Sequence, residues 1–363
     1  MEEITPKSSE LKKSCVNCGA ELLYAPGTTV LECNYCGHKE EIAPDASLFK
    51  ELELSSYLRE MGSQSHSEEI TMIQCKNCGA NQHVEENYKS LHCVYCSMPL
   101  IIEDIYKDEW IVPGAVLPFQ LDQKKAHQIF EKWVKKLWFA PNKLKRASLD
   151  PQNTKGLYSP YWTFDAKLFA TYTGQRGIYY YVTRTVGSGK NRRTVTERRT
   201  RWYPAAGNIK GFIDDTLTKA SKQRSGIIPV KISKWDLKLL KPFDSDYLSG
   251  FITEKYTISL KDGHLDSEKQ ARVIAERWVR NDIGGDTQRI SSLNMHLSEE
   301  TFKHILLPVF ISAYKFKEKR YNFFVNGQNG AISGKRPYSF WKIFFFVLMI
   351  LLVIAAIIFA LNL

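Results

Sequence analysis

The sequence predicts a multidomain chain: two small all-β modules clamped by cysteines, a duplicated α+β body (antiparallel sheet plus helices), and one C-terminal transmembrane helix. Three observations carry this. All eight cysteines fall into two identical quartets that repeat at 60 residues. Residues 110–335 are rich in Tyr, Phe and Trp and contain motifs that recur about 145–153 residues apart. Residues 343–361 carry no charge and no strongly polar side chain.

The N-terminal segment 1–11 reads as a polar tail with no apolar stretch of the kind found in secretory signals. Cys15 and Cys18 are followed, after fourteen residues, by Cys33 and Cys36. Cys75 and Cys78 are followed, after the same gap, by Cys93 and Cys96. Two C-x2-C pairs at this spacing can close a tetrahedron of thiolates around a metal, the signature of a structural zinc ribbon. Gly19, Gly37 and Gly79 stand where each knuckle needs a permissive backbone. Two zinc ions per chain are therefore expected, in ribbons at 12–45 and 71–104. Four cysteines saturate each ion, so neither site is expected to be catalytic.

The interval 46–70 predicts a short helix and a Ser-rich linker. Charge divides the chain at this level. Residues 1–108 hold 9 Lys+Arg and 18 Asp+Glu, a net of −9, which leaves +20 in the rest of a chain whose total is +11. Ribbons that bind nucleic acid need a basic face, and these lack one. They read as acidic protein-docking or spacing modules, and unfolding one is expected to leave the body intact.

In the body, the segments ending in Trp133 and Trp278 both read as amphipathic helices. Those around Pro160 and Pro308 both read as strands that run to Gly-Gln-x-Gly turns at 174–177 and 327–330. The expectation is two related α+β units, 105–206 and 207–335. Between them, 178–203 predicts a β-hairpin. From Gly174 to Tyr203 there are 8 basic residues and 1 acidic. Three readings of Arg184, Lys190, Arg192, Arg193, Arg198, Arg199 and Arg201 stand open: a solvated edge that resists strand pairing, a contact with anionic lipid, or a contact with nucleic acid. A capped helix is expected at 213–223, and Asp236, Asp244 and Asp246 are expected to cap turns.

No G-x-x-x-x-G-K-[ST], G-x-S-x-G or H-E-x-x-H occurs, so no catalytic residue, enzymatic activity or small-molecule substrate is expected. Residues 340–363 form the predicted span. Lys335, Arg336 and Lys342 precede it, which points to a single-pass protein of the cell membrane with its N-terminal bulk in the cytoplasm and its C-terminus outside.

The two ribbons, Tyr247–Phe251 (Tyr-Leu-x-Gly-Phe), Leu306–Phe310 (Leu-Leu-Pro-Val-Phe), Val325–Gly330 (Val-Asn-Gly-Gln-x-Gly) and the terminal span occur together. In this the chain resembles bacterial membrane-anchored double zinc-ribbon proteins of the YdjG type. Their labels often mention TFIIB-type zinc ribbons or a primosomal helicase. The resemblance implies a scaffold in an envelope-stress complex with flotillin-like (SPFH) and phage-shock protein A-like partners. A membrane-tethered nucleic-acid-binding protein is the alternative reading.

Overall fold

In the computed structural model the described residues are 13–46, 49–60, 67–83, 91–93, 95, 98–100, 105–142, 144, 154–187, 192–221, 228–229, 232–316 and 319–361. The first module is a three-stranded antiparallel sheet of β1 (Leu22–Tyr24), β2 (Val30–Cys33) and β3 (Lys39–Glu41). After β4 (Leu52–Glu53) comes α1 (Leu54–Glu60), the short helix expected there. The second module pairs β5 (Ser67–Gln74) with β6 (Asn81–His83), and β7 (Leu91–His92) with β8 (Pro99–Leu100). It is larger than the sequence suggests. β9 (Ile105–Ile111), assigned by sequence to the body, pairs with β5 from Ser67↔Ile111 to Ile73↔Ile105.

The body is built on three very long strands. They follow β10 (Ala115–Val116) and α2 (Gln123–Lys135) in the order β11 (Thr154–Val186), β12 (Arg193–Lys219) and, after β13 (Lys241–Pro242), β14 (Ile252–Thr253) and α3 (Leu260–Ile283), β15 (Thr287–Phe316). β11 is central. It pairs with β12 from Tyr161↔Lys219 to Val186↔Arg193, and with β15 from Thr154↔Ser312 to Gly177↔Thr287. The other edge of β15 is covered in turn by β4, β10 and β16 (Lys319–Asn326), with β17 (Ile332–Gly334) beyond β16. β17 leads to α4 (Phe340–Leu361).

Three sequence expectations are corrected here. Gly174–Gly177 is not a turn; it lies inside β11, and its glycines let neighbours close in. A Cβ on Gly177 would stand 2.5 Å from Thr287 Cγ2. The expected helix at 213–223 is instead, through Lys219, the end of β12 paired with β11. The boundary at 206/207 falls in the middle of β12, so the body does not divide into two units there. Nor are the expected halves alike: α2 has 13 residues and α3 has 24, while the hairpin partner of β11 has 27 and that of β15 has 8.

α3 lies across one face of the three long strands. Leu260, Gly263, Ser267, Ala271, Ala275, Val279 and Ile283 are buried at helical spacing, and most are small, so the helix sits close to the sheet. Gly263 meets the Trp162 ring, and Gly211 meets the Trp278 ring. Ser259 caps the helix by accepting from the Asp262 N–H, and Gly284 ends it at φ +66°. Leu168, Ala170, Tyr172, Ile213 and Leu293 fill the space beneath.

Beside Asp165 both neighbours of β11 carry an extra residue. The register shifts across Phe164/Ala166 toward β12 and Asp165/Lys167 toward β15, with Asp215 at φ +49° and Glu299 at φ +51°. Such paired bulges sharpen the local twist. Here they divide the packed base of the sheet from a projecting arm.

Candidate metal centres and a basic arm

Each knuckle is built by the same backbone bonds. Gly19 N–H donates to Cys15 C=O (2.8 Å), Gly37 to Cys33 (2.9 Å) and Gly79 to Cys75 (2.7 Å), and all three glycines have positive φ. Cys93 N–H donates to Met98 C=O (2.9 Å) in the fourth knuckle, as Cys75 N–H donates to Ala80 C=O (2.9 Å) in the third. Ser97 and Cys96 themselves lie outside the described residues. These turns aim the sulfurs at one another. Sγ–Sγ separations are 3.5 Å for Cys15–Cys36, 3.6 Å for Cys18–Cys33 and 3.4 Å for Cys78–Cys93. A disulfide would need about 2.05 Å. Tetrahedral thiolates bound at about 2.3 Å place their sulfurs about 3.8 Å apart. The clusters Cys15, Cys18, Cys33, Cys36 and Cys75, Cys78, Cys93 therefore fit a metal ion. The N–H groups of Cys36 and Tyr35 also point at the Cys33 sulfur and draw its pKa down to about 6, while contacts with the other sulfurs of the quartet push Cys18 and Cys36 up, so the bare cluster holds a mixture of thiol and thiolate.

The modules are not free appendages. The first packs Leu22, Tyr24 and Leu31 against Phe119, Tyr158, Leu306 and Phe310. Tyr24 meets Tyr247 edge-on at 5.3 Å, and Lys13 reaches Asp246 at 2.7 Å. The second places Ile73, Cys75, Cys78, Cys93 and Tyr95 in one buried cluster with Leu157, Val309, Ile311 and Phe324. Leu157 and Tyr158 are successive residues of one strand, so they face opposite sides of the sheet. The two modules thus grip the base of the same sheet from both sides. These contacts set how the modules pack against the body, which the sequence leaves open. On the first module Val16 and Tyr35 remain 77% and 86% exposed.

The arm carries the basic hairpin. Arg184, Arg193, Arg198, Arg199 and Arg201 lie on its two strands, Arg192 just precedes β12, and Lys190 lies outside the described residues. Residues paired directly across β11 and β12 share a face. Their register sorts the arginines. Ile178/Arg201, Tyr180/Arg199, Val182/Glu197, Arg184/Val195 and Val186/Arg193 belong to the face that α3 covers lower down. The opposite face holds Tyr179/Thr200, Tyr181/Arg198, Thr183/Thr196 and Thr185/Thr194. One side is thus an arginine strip and the other is rich in threonine. Glu197 lies 3.7 Å from Arg184 and 3.4 Å from Arg199. Arg198 stacks over Tyr179 at 4.3 Å and Arg201 over Tyr180 at 5.3 Å.

Position is the larger surprise. Gly334, Phe323, Ser312 and Thr154 form one row across β17, β16, β15 and β11. From that row the chain leaves for α4. The hairpin tip, Val186, lies 32 residues further along β11, about 100 Å of strand at roughly 3.3 Å per residue. The cysteine modules stand beside the base and the arginines at the far end.

The chain is similar to a protein of Bacillus subtilis (strain 168) called uncharacterised protein YdjG. The two are 26% identical over 330 residues, 91% of each chain. The likeness thus extends along most of both chains. No protein-family model matches the chain, and no solved structure matches it.

Sequence reasoning missed one cluster. Asp165, Asp214 and Asp215 bring carboxylate oxygens within 4.8 Å at the double bulge. Asp165 is 1% exposed and accepts from the Asp215 N–H at 2.5 Å. Burial raises its pKa to about 6. Lys303 answers the charge, 3.0 Å from Glu51 and 3.9 Å from Asp215. The Asp214–Asp215 doublet is the only local hint; Asp165 is 50 residues away and joins it through strand pairing. Asp236 and Asp244 do cap 3-10 turns, at 237–239 and 245–248. His264 lies in α3 and meets Glu300 at 2.6 Å.

Proposed function

We propose that this protein is a non-enzymatic, membrane-anchored adaptor. Two structural zinc ions brace the base of its sheet, α4 holds that base at the membrane, and the arginine face of the arm engages a partner away from the bilayer. Zinc is the metal of choice for closed four-thiolate sites without redox function. The observation that carries the adaptor reading is the separation of about 80–105 Å of strand between the departure toward α4 and the arginine strip. A span that only tethered a soluble domain would need no such arm. The arginine face continues onto Arg277 and Arg280, exposed near the end of α3, and makes a strip suited to an acidic protein surface. Flotillin-like and phage-shock protein A-like proteins are the candidates that the family resemblance offers.

The test is purification of the full chain from mild detergent, with mass spectrometry of what co-elutes, beside the triple variant Arg193→Glu, Arg199→Glu, Arg201→Glu. The expected result is a protein partner retained by the wild type and lost by the variant, with both remaining in the membrane fraction. Equal recovery from both, or recovery of bait alone, overturns the reading. Recovery of nucleic acid that the variant loses would move the function to the alternative, a membrane-tethered nucleic-acid-binding protein. Arg198 and Arg201 each cover one face of Tyr179 and Tyr180, whereas Tyr181 stays 68% exposed, so the triple variant is what separates the two readings.

A further inference from the structure

Beside the start of α4 the structure places a second segment, residues 136–142, which follows α2. It is bound to the helix in four ways. Ser339 N–H donates to Phe139 C=O at 2.8 Å. Lys342 Nζ donates to Ala140 C=O and to Asn142 Oδ1, both at 2.8 Å. The Phe139 ring meets Phe346 edge-on at 5.2 Å. Phe346 lies three residues past Ile343, where the uncharged run begins, so it is about 5 Å deeper along the helix axis. Whatever depth Phe346 has, Phe139 shares. From underneath, Leu137, Ala140 and Leu144 lock the segment onto Phe130, Val134 and Phe323 of the body.

Between two anchored neighbours, Leu137 and Phe139, stands Trp138, 74% exposed. An indole turned outward from a rigid, well-packed segment gains nothing from the fold. At the headgroup layer its apolar body and N–H would both be satisfied. Lys132 and Lys136, exposed at the end of α2 and just after it, and Lys335, exposed ahead of α4, put positive charge on the chain segments that lead to the dock and the span, as anionic headgroups favour.

The geometry points to a second membrane contact: the 136–142 segment is an interfacial dock that places Trp138 in the headgroup layer of the bilayer crossed by α4. This rests on reading α4 as a membrane span. Its consequence is that the body does not swivel on its anchor. Two attachments, α4 and the dock, fix the direction in which the sheet leaves the membrane.

The test uses the full chain in vesicles of phosphatidylcholine and phosphatidylglycerol, with and without bromine on the acyl chains near the headgroup. Bromine quenches indole emission only at short range. Trp341 flanks the span, so the comparison is made between Trp341→Phe and the double variant Trp138→Phe, Trp341→Phe. Most of the quenching left in Trp341→Phe should vanish in the double variant. Adding Trp133→Phe to Trp341→Phe instead should leave quenching unchanged, because Trp133 packs on Phe323 inside the body. Equal quenching in Trp341→Phe and in the double variant overturns the dock. Extraction of the wild type from vesicles by alkaline carbonate would instead overturn the span itself. Trp138 touches no core cluster, so the substitution is expected to leave the melting curve unchanged, which is checked in parallel.

Discussion

Cys78→Ser should loosen the body as well as the module that contains it. Cys78 is 5% exposed and packs in one cluster with Leu157, Val309, Ile311 and Phe324 of the long strands, each 3% exposed or less. Burying a large apolar side chain contributes about 1.5–3 kcal/mol, so these four represent about 6–12 kcal/mol. Losing the metal removes most of the folding free energy of a module of this size and strips one flank from all four, a cost of roughly half that sum, about 3–6 kcal/mol. Tyr95 OH also donates to Glu254 at 2.7 Å. Glu254 is 1% exposed, and burial lifts its pKa to about 7, so losing that donor adds to the cost. Total domain stability is typically about 5–15 kcal/mol, so the base of the sheet would be near its limit. The assay is hydrogen exchange by mass spectrometry on detergent-solubilised full chain. Peptides covering 154–160 and 305–312 should exchange about 10²–10⁴ times faster in Cys78→Ser than in wild type, at a factor of ten per 1.4 kcal/mol, with one metal equivalent lost. Unchanged protection there, together with the loss of that metal, would refute the integrated packing and restore the independent ribbon expected from cysteine spacing.

Two further outcomes are expected. Asp165 has a folded pKa of about 6 against 3.8 for the ordinary group, so between those values the folded chain binds more protons than the unfolded one and stability falls as pH rises through the window. Asn at this position keeps an acceptor for the Asp215 N–H and removes up to about 3 kcal/mol of ionisation cost at neutral pH. Asp165→Asn should therefore melt a few degrees higher than wild type near neutral pH and show no advantage at about pH 4; an equal difference at both would count against the buried-carboxylate account. The hairpin, if it stands away from the headgroups, should be cut by trypsin between 190 and 201 at a rate that does not depend on the anionic lipid content of the vesicles. Protection that grows with phosphatidylglycerol and is lost in salt would put the arginines on the bilayer instead.

The elements legible in the sequence were those with local causes. Cysteine spacing and knuckle glycines located both modules because ligand geometry acts over a few residues. The 3.6-residue period located α2 and α3, and continuous apolarity located α4. The long strands were hidden for a physical reason. Gly174 and Gly177 look like turn residues, yet their missing side chains admit Ile283, Thr200 and Trp202 to the sheet. The Ile213–Lys219 stretch has the acidic start of a helix, yet pairing with β11 decides its conformation. The acidic cluster escaped because its members meet only through register, at bulges that no local pattern announces.

Register also reverses the electrostatic picture that the sequence suggests. Along the chain, the acidic ribbons are far from the span and the basic half adjoins it, an order that would press basic surface against anionic lipid. In space, the strands carry the arginines away and bring the ribbons to the base, gripping Leu157 and Tyr158 from opposite sides. At physiological ionic strength the screening length is about 8 Å. Arginines about 80–105 Å along the strands from the anchor feel headgroup charge only if the arm lies down on the membrane. The arm's own faces bear on that case. The arginine strip shares its side with α3, whose exposed Arg272, Val273 and Arg277 would reach a flat surface before the strip did. A membrane is flat over the length of the arm. A protein partner with a recess for α3 or a ridge that passes its end is not, and so fits this relief better.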